Sequence, residues 1–379
     1  MSEAFDDERA LATLIEDIRA VVECESPSSD DAAVSRSADV IAALGESRLG
    51  AVPERMQVDG CSHLRWRFGT GPRRVVVLCH HDTVWPLGSL AERPFLVKDG
   101  VLQGPGCFDM KTGLVMGIHA VAALENRDGV SILITGDEEI GSPRSRSLIE
   151  AEARGASAVF VLEASADGGA LKTQRKGVSL YRVHLHGRAA HAGLEPHKGA
   201  NATIELAHQV LAVNKLGDAE HETTVTVTTA GAGTTANTIA AHASFAVDVR
   251  ATSEQEQQRV DAALRALMPV ISGVSIEIDG GINRPPLERS ASEGLFARAQ
   301  KVNARLGYAP LDAVAVGGAS DGNFTAGVGT PTLDGLGAIG GGAHAPHEHV
   351  LTAQLVERTR LLSALIVDVC ADVAGGAPR

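Results

Sequence analysis

Three short runs of the chain are largely apolar: Val75 to Cys79 (VVVLC), Ser131 to Thr135 (SILIT) and Ala158 to Leu162 (AVFVL). Between them lie stretches with helical spacing, Gly113 to Leu124 and a more polar segment around Ser145 to Arg154. Strands without a polar face are covered on both sides. The pattern therefore predicts an α/β sheet flanked by helices on each face.

From about residue 177 the period changes. Val178 to His186 (VSLYRVHLH) and Thr223 to Thr229 (TTVTVTT) alternate, and Asn201 to Leu211 sets Ile204, Ala207 and Leu211 at helical spacing. Phe245 to Arg250, a helix from Ser253 to Met268 with Val260, Leu264 and Leu267 on one face, and Val274 to Ile278 complete the order β-α-β-β-α-β, a ferredoxin-like unit. Its alternating strands suit a sheet with one open face. After Arg284 longer helices and apolar strands return, including Ala313 to Val316 and Thr330 to Leu333. The expected organisation is an α/β domain in two parts, 1–176 and 285–379, interrupted by a smaller domain at 177–284. Glycine-rich 317–342 reads as tight turns, because apolar and polar groups are interleaved in it.

Composition narrows the partners. The 379 residues hold 34 Lys and Arg against 47 Asp and Glu, a net charge of −13, which disfavours nucleic acid and anionic membranes. With 8 Phe, 2 Trp and 2 Tyr the core must be built from Ala, Val, Leu and Ile, and base-stacking surfaces are scarce. No apolar run approaches the roughly 18 residues of a membrane span, and MSEAFDDERA is acidic where a secretory signal is basic and then apolar. A soluble cytoplasmic protein is expected. Five scattered cysteines (Cys24, Cys61, Cys79, Cys107, Cys370) without C-x-x-C read as reduced thiols. No G-x-x-x-x-G-K-[ST] loop is present to cradle phosphates.

Candidate chemistry collects where the predicted strands end, the edge at which such sheets bind ligands. Val75–Cys79 runs into His80-His81-Asp82, Ser131–Thr135 into Asp137-Glu138-Glu139, and Ala158–Leu162 into Glu163. The turn Gly104-Pro105-Gly106-Cys107-Phe108-Asp109 delivers a further carboxylate to a helix start, and Gly340-Gly341-Gly342-Ala343-His344 presents another imidazole. Carboxylates and imidazoles gathered this closely repel one another unless a cation neutralises them. Mixed N and O donors suit zinc, and a shared carboxylate suits two zinc ions about 3.5–4 Å apart.

The segments CHHDTVWPLG (79–88), GPGCFDMKTG (104–113), TGDEEIGS (135–142), the Glu163 strand end, GRAAHAG with GANA following (187–202) and GGGAHAPHEHV (340–350) resemble, in order, a known family. It is the co-catalytic di-zinc exopeptidase and aminoacylase family of glutamate carboxypeptidase, succinyl-diaminopimelate desuccinylase and acetylornithine deacetylase, and the likeness is greatest to the bacterial glutamate carboxypeptidases. The resemblance implies a mixed central sheet with an inserted lid and dimerisation domain, a homodimer built through that domain, and a metal-dependent hydrolase of C–N bonds. Carried over by position, His80 and Glu163 would hold one zinc, Glu139 and His344 the other, and Asp109 would bridge them. Cobalt or manganese would suit the same donors. Asp82 would orient the ligand imidazole. His81 competes with His80 for the ligand role, but successive strand residues face opposite ways and the H-x-D spacing favours His80. Glu138 resembles the general base.

In the inserted domain, His191 resembles the lid histidine that supports the oxyanion from the partner subunit. Arg250, Asn237 and, less securely placed, Arg284 resemble residues that bind a substrate carboxylate, and the Gly340–Gly342 backbone around Gly341 could donate to the same group. The implied substrate is a small molecule or short peptide with a free carboxylate, an N-acyl or peptidyl amino acid that releases a C-terminal glutamate-like residue. Two departures keep another C–N bond in view, in an acetylated amino acid, an acylated diamine, an aryl amide or a ring amine. Asp109 is followed by Met110-Lys111, where glutamate carboxypeptidases often have a second acid, and Glu163 by Ala164-Ser165, not proline. A non-catalytic metal-binding relative would have no use for the spare acid Glu138. Ser320-Asp321 is expected to cap a helix and brace the site.

Overall fold

The computed structural model describes residues 7–375. The first six residues, part of the acidic amino-terminal segment, lie outside the described residues. By its internal contacts the chain divides into one unit of Met1–Gln174, Arg289–Ala315 and Ser320–Arg379, and a smaller unit of Arg175–Glu288 with Val316–Ala319. Val316–Ala319 thus groups with the smaller unit, not with the segment 285–379 in which the sequence placed it.

The larger unit is built on a mixed sheet. Its strands are β1 (Glu54–Val58), β2 (Cys61–Arg67), β3 (Val75–His80), β4 (Val130–Thr135) and β5 (Ala158–Val161), in the spatial order β1-β2-β4-β3-β5, with the short strand Thr332–Leu333 beyond β5. β3 runs parallel to β4 and β5, whereas β2 is antiparallel to both β1 and β4. Every residue of β3, β4 and β5 is buried, as unbroken apolar runs require.

Alternation along each strand divides the core in two. Val75, Val77 and Cys79 pack with the helices Asp7–Val22, Asp31–Leu49, Thr112–Ala122 and Leu355–Gly375. Val76 and Leu78 meet Ile149 and Ala153 of the helix Arg146–Ala153, and Phe324. The result is the mixed α/β fold with a helical layer on each face. A second, antiparallel sheet joins Leu96–Lys98, Val101–Gln103, His349–Leu351 and Gly340–Gly341.

The smaller unit is a four-stranded antiparallel sheet of β6 (Gly177–His186), β7 (Thr224–Ala232), β8 (His242–Ala251) and β9 (Ser275–Arg284), in the order β7-β8-β6-β9. Helices Ala202–Val213 and Glu254–Arg265 start at Asn201 and Ser253, whose side chains accept backbone N–H bonds of the first turn. Val183, Leu185, Phe245, Val247, Val260 and Leu264 form its core. Strands β7, β8 and β9 run beyond the apolar runs that announced them, because backbone pairing continues through polar and glycine positions. No described helix is long and apolar enough to cross a membrane, and all five cysteines are free thiols.

Candidate metal centre

Because β3, β4 and β5 are parallel, their carboxyl ends share one edge of the sheet, and the residues that follow converge there. His80 closes β3, the turn Glu138–Ile140 follows β4, and Glu163 lies two residues past β5. Asp109 arrives on the Gly104–Asp109 turn, which Glu348 shapes. This buried carboxylate accepts the N–H groups of Gly106 (2.9 Å), Phe108 (2.8 Å) and Asp109 (3.1 Å) and the Trp85 indole N–H (2.7 Å).

The two Asp109 oxygens face different imidazoles. Oδ1 lies 3.4 Å from His80 Nε2, and Oδ2 lies 3.3 Å from His344 Nε2. His80 Nε2 is also 3.6 Å from Glu163 Oε1, and His344 Nε2 is 3.1 Å from Glu139 Oε2. Donor atoms of His80, Asp109 and Glu139 all lie within 4.8 Å of one another, as do those of His80, Glu138 and Glu163. Good N–H···O bonds centre near 2.9–3.0 Å. Two ligands on one tetrahedral zinc, at bonds of about 2.1 Å, stand about 3.4 Å apart, so the spacings of 3.4, 3.3 and 3.6 Å fit ligand edges, while the 3.1 Å between His344 and Glu139 also suits a hydrogen bond.

The tautomer supports the same reading. His80 Nδ1 faces the Asp82 carbonyl at 3.0 Å, and hydrogen bonding there leaves Nε2 as a lone pair turned toward carboxylates. Both His80 Nε2 and Glu139 Oε1 are buried without a hydrogen-bond partner among the described residues. Lone pairs facing lone pairs in a dry site call for cations, and this donor set fits divalent ions.

Electrostatics express the same crowding. Burial, helped by the Asp109 charge and opposed by a hydrogen bond with His344, pushes Glu139 up to about 7. His344, half exposed, is raised to about 10 by its bonds to Asp109 and Glu139. Burial works against the charged form of Asp109, but the adjacent His344 and His80 imidazoles outweigh it and hold this carboxyl below the usual range.

His81 faces the other way. Fully buried, its ring contacts Ser37 Oγ and the Ser62 carbonyl, each at 3.1 Å, and burial lowers its pKa to about 4. Asp82 joins two strand ends. Its carboxylate accepts the N–H groups of Glu138 and Glu139, both at 3.1 Å, and the Ser28 hydroxyl at 2.6 Å, while Oδ1 lies 3.4 Å from His80 Nδ1. Glu138 is itself buried.

Asp321 braces the acidic turn by accepting from Thr135 Oγ1 (3.1 Å) and Ser142 Oγ. Of the Ser320-Asp321 pair expected to cap the helix Gly322–Gly327, Asp321 makes no side-chain capping bond, and the bond to the helix start comes from Ser320. The Thr135 and Ser142 hydroxyls engage the Asp321 carboxylate, and Ser320 Oγ accepts the Gly322 N–H.

The remaining candidates belong mostly to the smaller unit. His191 lies on the short strand Ala190–His191, paired with Thr238–Ile239, and is exposed. Its Nδ1 accepts the N–H groups of Gly193 and Leu194, both at 3.1 Å, so the neutral ring carries its proton on Nε2 as a donor. Asn237 is exposed, and its carbonyl accepts the Ala192 N–H. Arg250 already makes a bidentate pair with Asp248, at 2.7 and 2.8 Å. Arg284 is buried, and its carbonyl accepts from Gln257. Arg250 and Arg284 pair with Val178 from opposite sides, so they stand two strand spacings, about 9.5 Å, apart. In the larger unit, Gly341 is half-buried and pairs with His349.

Ser28 and Glu348 escaped sequence reasoning. Glu348 sits in the segment that drew attention for His344, and Ser28 lies 54 positions from the carboxylate it supports.

Comparison with known proteins identifies the family. Residues 76–368 match the model of peptidase family M20/M25/M40. Carboxypeptidase G2 of Pseudomonas sp. (strain RS-16) is 30% identical over 316 residues, covering 79% of this chain and 75% of that protein. Succinyl-diaminopimelate desuccinylase of Methylorubrum extorquens (strain PA1) is 26% identical over 377 residues, covering 92% and 96%. Among solved structures, the YXEP protein of Bacillus subtilis, described as a dinuclear metal binding peptidase of family M20, shares the fold with a TM-score of 0.65 at 18% identity, over 96% of this chain and 99% of that one. The chain belongs to peptidase family M20/M25/M40. It is a metal-dependent hydrolase of C–N bonds.

Proposed function

We propose that the chain is a zinc-dependent carboxypeptidase that hydrolyses the amide bond of N-acyl or peptidyl amino acids and releases a carboxyl-terminal, glutamate-like residue. The observation that carries the reading is the convergence of His80, Asp109, Glu139, Glu163 and His344, with two buried donor atoms lacking a hydrogen-bond partner among the described residues. In this reading His80 and Glu163 hold one ion, Glu139 and His344 the other, and Asp109 bridges them. When bound, the ions would polarise the scissile carbonyl and lower the pKa of a bound water to about 7.

The protein's own groups do the rest. Glu138 takes the proton of the attacking water and returns it to the departing amine. Asp82 holds the His80 ring and, through the N–H groups of Glu138 and Glu139, the orientation of the acidic turn. His191 is assigned to the oxyanion, since its Nε2–H is preset as a donor. Arg250, Asn237, Arg284 and the Gly341 backbone are assigned to the substrate carboxylate. The segment 177–284 is read as an inserted lid through which two copies pair, a reading supported by Ile204 and Leu211, which are 46% and 65% exposed on the helix Ala202–Val213. Five free thiols fit a cytoplasmic location.

A second reading keeps the site and changes the bond, making the chain a deacylase. It draws on Lys111, which stands near the position where glutamate carboxypeptidases often have an acid and whose ammonium is buried against the Cys24 carbonyl at 2.7 Å. A panel of N-acyl glutamates, acetylated amino acids, acylated diamines and aryl amides, assayed with metal-depleted protein resupplied with zinc, cobalt or manganese, separates the two. Glutamate release dominating the panel supports the first reading. Preferred deacylation of a substrate without glutamate replaces it with the second.

A further inference from the structure

At the other edge of the central sheet is a basic cavity that the hydrolytic chemistry does not use. It has a volume of about 420 Å³ and is lined by Arg67, Arg73 and Arg154 together with the loop Phe68–Pro72. Arg67 ends β2, Arg73 precedes β3 and Val130 opens β4, so the cavity lies where the parallel strands begin, opposite the edge that carries His80 and Glu139. No carboxylate lines it, although the chain as a whole has a net charge of −13.

The surrounding ion pairs hold the lining guanidinium groups in place. Behind the cavity the buried Glu152 carboxylate bonds Arg65 (3.2 Å) and Arg67 (3.0 Å) and lies 3.7 Å from Arg73 Nε. Arg73 otherwise donates to the carbonyls of Glu152 and Ala151. Arg154 shares Glu150 with Arg146, and Arg65 also reaches Glu54. The three guanidinium groups that line the cavity are thus held from behind by Glu152, Glu150 and backbone carbonyls. Asp128, outside the lining, is exposed and sets its carboxylate against Gly69 and Gly71 of the loop. The loop adds donors, since the backbone N–H groups of Gly69, Thr70 and Gly71 donate no hydrogen bond among the described residues.

A concave site lined by three guanidinium groups and open backbone N–H groups, with no carboxylate among its lining residues, attracts anions, and guanidinium groups bind tetrahedral oxyanions. Glu152 and the carbonyls fix Arg67 and Arg73, so little side-chain freedom is lost when such an anion binds. We propose that this cavity is a binding site for a doubly charged oxyanion of phosphate chemistry, separate from the metal centre.

The test titrates the metal-loaded protein with inorganic phosphate in one arm and glycerol phosphate in another, at constant ionic strength, by calorimetry and melting temperature. One saturable event per chain at the cavity is expected, with a higher melting temperature. Arg154→Gln, whose side chain is 62% exposed, should weaken binding about tenfold, the equivalent of one charge-assisted contact, and Arg154→Glu should abolish it. Turnover without phosphate should be unchanged in both variants. Tighter binding of glycerol phosphate marks a phosphomonoester as the natural occupant, and tighter binding of inorganic phosphate marks the free ion. Binding that survives both Arg154 variants, or that disappears in His344→Ala, places the anion elsewhere and overturns the proposal.

Discussion

Asp82 ties several parts of the centre together, although it is not assigned as a ligand. Its carboxylate meets the His80 ring, two backbone N–H groups of the acidic turn and Ser28. Removing the Ser28 hydroxyl leaves Asp82 Oδ2 with one partner fewer in a buried site. Ser28→Ala should therefore weaken metal binding about 10- to 100-fold while the fold is retained, as measured by competition with a chelator of known affinity. Glu138→Gln should lower turnover by about 100- to 10,000-fold with both ions still bound, because a carboxamide cannot accept the water's proton. A variant that loses metal together with activity would make Glu138 a ligand and not a base.

His81 gives the molecule an acid-sensitive point. Its folded pKa of about 4 lies below the unfolded value near 6.5, so between these limits the unfolded chain binds the extra proton. Stability is thus fully present above about pH 6.5 and falls as pH drops toward 4, by up to about 3 kcal/mol. His81→Gln should flatten this slope in denaturant titrations at pH 7 and pH 5, and a slope equal to that of the parent would contradict it. The sequence separates His80 from His81 because strand alternation is a local rule. It is silent on Ser28 and Glu348, because a brace that acts across 54 or 240 positions leaves no periodic trace.

Among the elements, parallel strands explain why scattered residues meet. Once Val75–Cys79, Ser131–Thr135 and Ala158–Leu162 are read as buried strands, their polar successors must lie along one edge, and the structure brings them there. Strand length is less legible, because β7, β8 and β9 continue through polar and glycine residues that the apolar pattern does not count. Two glycines hold the end of β5 in place. A Cβ on Gly113 would lie 2.0 Å from the Leu162 carbonyl oxygen, and one on Gly337 would lie 2.2 Å from the same atom. Gly113→Ala should push the helix Thr112–Ala122 away from the strand that leads to Glu163, at a cost of about 1–3 kcal/mol. Lower thermal stability with weaker metal binding is the expected outcome, measured by calorimetry with and without added zinc.

For the whole molecule, the ions belong to its stability as well as its chemistry. Glu139 raised to about 7 by burial is a group whose stabilising protonated form is present below about pH 4.5 and lost as pH rises through 7, so the metal-free protein weakens across that window. Metal bound to the folded state alone opposes this by mass action. Chelation should lower the melting temperature more at pH 8 than at pH 5 and abolish turnover, with both restored by divalent ion. An equal drop at the two pH values would sever the link to Glu139. The most direct test of the account is a crystal structure of the zinc-loaded protein with anomalous scattering recorded at the zinc edge. Two peaks about 3.5–4 Å apart, one beside His80 and Glu163, the other beside Glu139 and His344, with Asp109 between them, are predicted. A single peak, or peaks away from these five residues, would contradict it.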